Sequence, residues 1–162
     1  MAGDYVNVSS IGAQPVIVPQ EDLDRVETGE NGEKTVYLKN KVKFVFNPND
    51  LEKSGFYGRI GIKDGFTSFD HITTKMKSKM ASISGTEGND RIIVTNCQNI
   101  NVAPGLGNDF VNVLKSKAAF VTTSVGGSGI TFGVDSIGYD NGTEVKNIPG
   151  GYKWEYDVCT GK

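Results

Sequence analysis

The strongest constraint on the fold of this chain comes from two near-matching turns. Gly85-Thr86-Glu87-Gly88-Asn89-Asp90 ends two residues ahead of Ile92, and Pro104-Gly105-Leu106-Gly107-Asn108-Asp109 ends two residues ahead of Val111. The two aspartates lie 19 residues apart. That distance is about one coil of a solenoid, so the turns are expected to stack and to offer two carboxylates to one cation. Glycine supports the turn-rich reading, at 21 of 162 residues and without any collagen-like period, well above the usual ~7%. Between residues 82 and 137, short apolar pieces such as Ile92-Ile93-Val94, Val113-Leu114 and Ala119-Phe120-Val121 alternate with Gly, Asn and Ser. Short strands punctuated by glycine predict a β-solenoid-like segment here.

The remaining sequence reads as β structure of a more ordinary kind. Residues 1–20 form an extended arm in which Val6 and Val8 alternate with polar residues and Pro15 and Pro19 bracket Val16-Ile17-Val18. Proline suits edge strands and extended segments, so the arm is expected to lie along another surface, its own domain's or a neighbour's. Residues 21–81 make a β-rich subdomain. Its hairpin pairs Thr35-Val36-Tyr37-Leu38 with Val42-Lys43-Phe44-Val45-Phe46, segments rich in β-branched and aromatic residues. One helix is expected over residues 68–80, where Phe69, Ile72, Met76 and Met80 recur at helical intervals and Thr67-x-x-Asp70 resembles a capping box. Residues 138–162 form a tail with Tyr152, Trp154 and Tyr156 on one face of a strand. The predicted fold class is all-β, with at most one short helix: a sandwich- or barrel-like body and a short solenoid-like, glycine-turned segment.

Charge and motifs exclude several function classes. Seventeen basic residues face nineteen acidic ones, a net charge of −2, so no basic surplus exists to release counterions from a nucleic-acid backbone. No apolar run approaches the ~20 residues that span a bilayer, and the first residues lack the basic and apolar regions of a Sec leader. Neither nucleic acid nor membrane is expected as a partner. Cys97 and Cys159 are too few for a disulfide framework; they read as two free thiols, or as a bridge within the chain or to a neighbouring subunit. Asn7-Val8-Ser9 and Asn141-Gly142-Thr143 match the glycosylation pattern but carry little weight without an export signal. The single histidine, His71, has no evident catalytic partner. No nucleophile elbow, Walker A or zincin pattern occurs. Gly105-Leu106-Gly107 begins a dinucleotide fingerprint, but Phe110 stands where its third glycine belongs. No enzymatic activity is expected.

The two turns resemble the nonapeptide repeat of the RTX, or hemolysin-type calcium-binding, family, whose pattern is G-G-x-G-x-D-x-U-x with U a large aliphatic residue. Gly85, Gly88, Asp90 and Ile92 fill the first turn; Gly105, Gly107, Asp109 and Val111 fill the second. Thr86 and Pro104 depart from the pattern, and Gly126-Gly127-Ser128-Gly129-Ile130-Thr131 keeps the glycines while placing Thr131 at the aspartate position. The resemblance covers residues 82–137 and implies at most one calcium site, held by Asp90 and Asp109 with Gly88 and Gly107 in the turns. Calcium takes six to eight hard oxygen ligands, which carboxylates and turn carbonyls supply. The alternative is that Gly-Asn-Asp builds the turns alone, its side chains bonding to nearby backbone.

Two functions are therefore in view. The first is a non-enzymatic structural or assembly subunit, a virion component such as a phage capsid decoration (cement) or tail protein. It would act as a homo-oligomer or on a larger protein shell or tube, with the N-terminal arm as contact segment. The second is an RTX-like calcium-stabilised module, secreted or displayed at a cell surface. A carbohydrate-binding or lyase fragment, dependent on Trp154 or the aspartate pair, is a third.

Overall fold

Alternation of buried and exposed residues, with almost no helix, organises the chain. The computed structural model describes residues 4–9, 14–52, 57–123, 129–133 and 136–147. The strands in the first half are β1 (Tyr5–Asn7), β2 (Val16–Pro19), β3 (Leu23–Thr28), β4 (Lys34–Leu38), β5 (Lys43–Phe46), β6 (Gly58–Lys63), β7 (Phe66–Asp70) and β8 (Ala81–Ser84). Those in the second half are β9 (Arg91–Thr95), β10 (Gln98–Ala103), β11 (Phe110–Leu114), β12 (Lys117–Val121), β13 (Gly129–Phe132), β14 (Ser136–Asp140) and β15 (Thr143–Asn147). Helical structure among the described residues is limited to single 3₁₀ turns at Gln20–Asp22, Pro48–Asp50 and Lys77–Lys79. The fold is all-β, built from two sheets. One runs β1-β2-β6-β7-β9-β11-β13 and the other β15-β14-β12-β10-β8-β5-β4-β3.

The expected hairpin forms, with β4 antiparallel to β5 and Val36 opposite Phe44. Val36, Leu38, Phe44 and Phe46 point inward and are buried. Phe44 stacks on Phe46 at 5.1 Å and meets Phe69 of the other sheet at 5.4 Å. From β9 to β14 the registers are parallel, and β15 closes the second sheet antiparallel to β14. Ile92 pairs with Val111 and Val111 with Ile130 in one sheet; Ile100 pairs with Ala119 and Ala119 with Gly138 in the other. The chain thus crosses from sheet to sheet and returns one strand further along, with 19 residues between stacked positions such as Asp90 and Asp109. Ile92, Val94, Ile100, Val102, Val111, Val113, Ala119 and Val121 line the interior and belong to one continuous core. The expected boundary at residue 81/82 falls inside β8, which pairs with both β5 and β10.

The corners of these coils repeat as well. His71, Asn96 and Lys115 all take positive φ, at 57°, 54° and 48°. The His71 amide donates to Thr95 O and the Asn96 amide to Leu114 O, so equivalent left-handed corners stack. Asparagine and histidine are enriched in that conformation, which gives His71 a backbone role. In the last coil Phe132 fills the interior opposite Gly138. A Cβ on Gly138 would stand 2.2 Å from the Phe132 ring and 2.4 Å from Ala119 O, so the pair is fixed by size.

One expectation is corrected. Residues 68–80 are not a helix. Phe66–Asp70 is a strand, Thr67 pairs with Ile92 rather than capping anything, and Ile72-Thr73-Thr74 continues extended, with bridges from Thr73 to Gln98 and Thr74 to Leu51. The β-branched run loses rotamer freedom in a helix, and its backbone finds partners elsewhere: Gln98 N donates to Ile72 O, and Thr74 N to Gln98 O. Residues 1–20, where they are described, lie along the chain's own body. β1 pairs antiparallel with β2, β2 parallel with β6, and Val8, Val16 and Val18 are buried in the chain's own core. Apolar residues flanked by prolines gain more from this edge position than from exposure. The aromatic segment Tyr152, Trp154 and Tyr156 lies outside the described residues, as do Cys159 and Gly126–Ser128.

Candidate functional site

The stacked turns begin with glycine. Gly105 and Gly107 hold φ of 90° and 92°, values open to glycine at little strain. The turns also approach closely: a Cβ on Gly85 would lie 2.1 Å from Pro104 O, one on Gly105 2.4 Å from Thr86 O, and one on Gly107 2.8 Å from Gly88 O. The glycines therefore serve backbone curvature and backbone contact together.

Those contacts bring Asp90 and Asp109 within reach of one another, in a particular way. Asp109 Oδ1 accepts the Asp90 amide at 2.7 Å. Asp90 Oδ2 accepts the Thr86 amide at 2.7 Å, and the Thr86 hydroxyl lies 3.1 Å from both Asp90 oxygens. The Thr86 hydroxyl in turn accepts the Gly88 amide at 3.1 Å. One rung on, Asn89 Oδ1 accepts the Asn108 amide at 2.8 Å. Main-chain bonds continue the ladder, from Phe110 N to Asp90 O and from Gly129 N to Asp109 O, both at 2.8 Å. Asp109 Oδ1, the Asp90 oxygens and Asn89 Oδ1 are thus aimed at N–H and O–H donors, the arrangement of an Asx turn extended across coils. A cation bound between Asp90 and Asp109 would have to draw these oxygens away from the Thr86 and Asp90 amides. As arranged, Asp109 Oδ1 and the Asp90 oxygens serve the turns. Among the described residues no group of three or more His, Cys, Asp or Glu side chains converges as a metal site would.

The remaining reactive side chains also hold backbone. His71 Nδ1 sits 2.7 Å from Asp70 Oδ1, and His71 O accepts the Gln14 side-chain amide at 2.8 Å. Cys97 is fully buried, accepting the Ile72 amide at 3.4 Å on its sulfur. Burial pushes its thiol up to about 12 from 9.0, opposed by the Ile72 hydrogen bond. Between those two values the unfolded chain loses the proton while the folded chain keeps it. The resulting stability is complete below the unfolded pKa and declines as pH rises, by up to ~1.4 kcal/mol per pH unit. Urea denaturation at about pH 8 and about pH 10 should therefore cost the native chain roughly 1 kcal/mol more than Cys97→Ala. Equal losses in the two proteins would refute a thiol held neutral by the fold.

One group was missed by sequence reasoning. On the outer face of the seven-stranded sheet, the register aligns Lys63, Phe66, Arg91, Phe110 and Gly129 in a row, with Lys63 opposite Phe66 and Arg91 opposite Phe110. The Arg91 guanidinium lies over the Phe66 ring at 4.8 Å, and Phe66 meets Phe110 edge-on at 6.2 Å. Phe110 is 36% exposed and Leu106, in the preceding turn, 52%. Arg91, Phe110 and Gly129 each open a strand at the 19-residue interval; that signal was available, but Phe66 joins the row only through the β7–β9 pairing.

No helix among the described residues is long and apolar enough to cross a membrane. No protein-family model, curated protein or solved structure matches the chain.

Proposed function

We propose that this chain is a non-enzymatic structural subunit that works through its sheet surfaces, as a homo-oligomer or on a larger protein shell or tube. A virion component, such as a phage capsid decoration or tail protein, is the specific form of this reading. The observation that carries it is the row of Phe66, Arg91 and Phe110 on the outer face of a seven-stranded sheet, with Leu106 exposed in the preceding turn. Aromatic residues and arginine together are the composition of a protein-contact core. Asp90, Asp109 and Cys97 accept backbone amides and the His71 imidazole faces Asp70, which suits scaffolding better than turnover. The charged edge strand β3, carrying Asp24, Arg25 and Glu27, is the kind of edge that resists unwanted pairing.

The test has two arms. Sedimentation velocity over a concentration series measures self-association of the purified chain and of Phe110→Ser. Peptide mass spectrometry of density-banded particles from the source asks whether the chain is a stoichiometric component. Association lost in Phe110→Ser, with the chain present in particles, is the expected result. Particles that lack the chain sink the virion form, and a strict monomer with no particle partner sinks the assembly reading.

A further inference from the structure

A second feature of the same sheet points to a small ligand. Gly61 sits inside β6 between Arg59 and Lys63, with Ser68 of β7 directly opposite and Asp70 opposite Arg59. Glycine within a strand weakens it and often marks a place where a ligand approaches the backbone. Here the missing side chain opens a cleft of about 420 Å³, walled by Tyr5 and Pro19 and edged by Arg59, Lys63, Ser68 and Asp70. Nothing in the packing demands the glycine. A Cβ on Gly61 would meet its nearest neighbours, Asp22 Oδ2 and Pro19 Cδ, only at 3.6 Å, an ordinary contact. Its φ is not among the positive ones. The contrast with Gly85, Gly105 and Gly138, where a Cβ would collide with backbone, is sharp.

The lining chemistry narrows the occupant. The lining combines cationic donors (Arg59, Lys63) with carboxylates (Glu21; Asp22, whose Oδ2 accepts the Ile62 amide; and Asp70, whose Oδ1 faces His71 Nδ1), and Ser68 donates and accepts. A simple anion meets three carboxylates, and a simple cation meets two cations. A neutral polyol satisfies both sets, because each hydroxyl donates and accepts. Tyr5, 58% exposed, supplies the flat apolar wall against which the C–H face of a sugar ring packs. We infer that the Gly61 cleft binds a neutral hexose ring, free or at the end of a glycan. This site adjoins the Phe66–Phe110 row at Lys63 but uses none of its aromatic residues, and it stands independently of the assembly reading.

The experiment titrates the isotope-labelled full chain with glucose, galactose, mannose and N-acetylglucosamine, following backbone amides by NMR, with glucuronate and inorganic phosphate as charged controls. At least one neutral sugar should bind saturably, shifting the Gly61 and Ser68 amides. Gly61→Val should obstruct the floor of the cleft and Tyr5→Ala should remove its wall, each weakening binding tenfold or more while the melting midpoint stays close to the native one. Failure of every neutral sugar overturns the inference, as does undiminished binding by Gly61→Val. Tighter binding of glucuronate or phosphate overturns the neutral class. Any of these outcomes is compatible with assembly through Phe110, so the two proposals fail separately.

Discussion

Deleting residues 1–20 is expected to unfold the whole body rather than to release a contact arm. Val8, Val16 and Val18 are 4%, 0% and 0% exposed and belong to the single core. Burying a valine contributes about 1.5–3 kcal/mol, so the three together account for roughly 5–9 kcal/mol. A domain of this kind is stable by only about 5–15 kcal/mol in total. The deletion also removes the Pro15 carbonyl that accepts the Gly58 amide at 2.8 Å and the Gln14 side chain that donates to His71 O. Both losses fall on β6 and on the corner that leads out of β7, in the middle of the seven-stranded sheet. Circular dichroism and a urea melt of the truncated chain should show little or no cooperative transition. Val16→Ala provides the graded version, with an expected loss of about 2 kcal/mol. A truncated body that melts cooperatively near the native midpoint would return residues 1–20 to the status of a peripheral arm.

The same segment shows where a sequence is informative. Alternating valines between prolines identify an extended piece that needs a cover, but they do not say which surface supplies it; that depends on the parallel pairing of β2 with β6, which is set by the whole sheet. By contrast, the spacing of Asp90 and Asp109 was legible because it repeats. The same interval sets the registers of Ile92 with Val111 and Ile100 with Ala119. Residues 68–80 misled because Phe69, Ile72 and Met76 fit a helical interval by coincidence. Phe69 and Ile72 are buried from a strand and from the segment after its corner, while Met76 is 49% exposed. The Gly61 cleft was invisible for a different reason: a glycine in a strand reads as a weak position until its neighbours across the sheet are known. At the turns, residue types alone fit either a cation or a backbone network, and only the direction of the donors adds to that reading.

That distinction leads to the second large effect. Asp109→Ala should destabilise the chain by the same amount in calcium as in EDTA. Asp109 is 3% exposed, and its Oδ1 accepts the Asp90 amide at 2.7 Å, inside the ladder that joins the two turns. Hydrogen bonds to a charged acceptor contribute about 1.5–3 kcal/mol, and a buried amide left without its partner is itself unfavourable by a similar amount. For a chain of this length, 1 kcal/mol moves the midpoint by about 2–4 °C. The alanine variant should therefore melt roughly 5–10 °C low, and Asp109→Asn, which keeps an acceptor oxygen but loses its charge, should fall between. The native chain itself should melt identically in excess calcium and in EDTA, because a cation would compete with the Thr86 and Asp90 amides for the oxygens they occupy. A calcium site makes the opposite demand. Ligand that binds only the folded state at a hundredfold excess over Kd adds about 2.7 kcal/mol, so the native midpoint would rise with calcium and the penalty of Asp109→Ala would shrink in EDTA. That pattern would show that the aspartates exchange backbone donors for a metal, and would move the chain towards the calcium-stabilised reading of its turns.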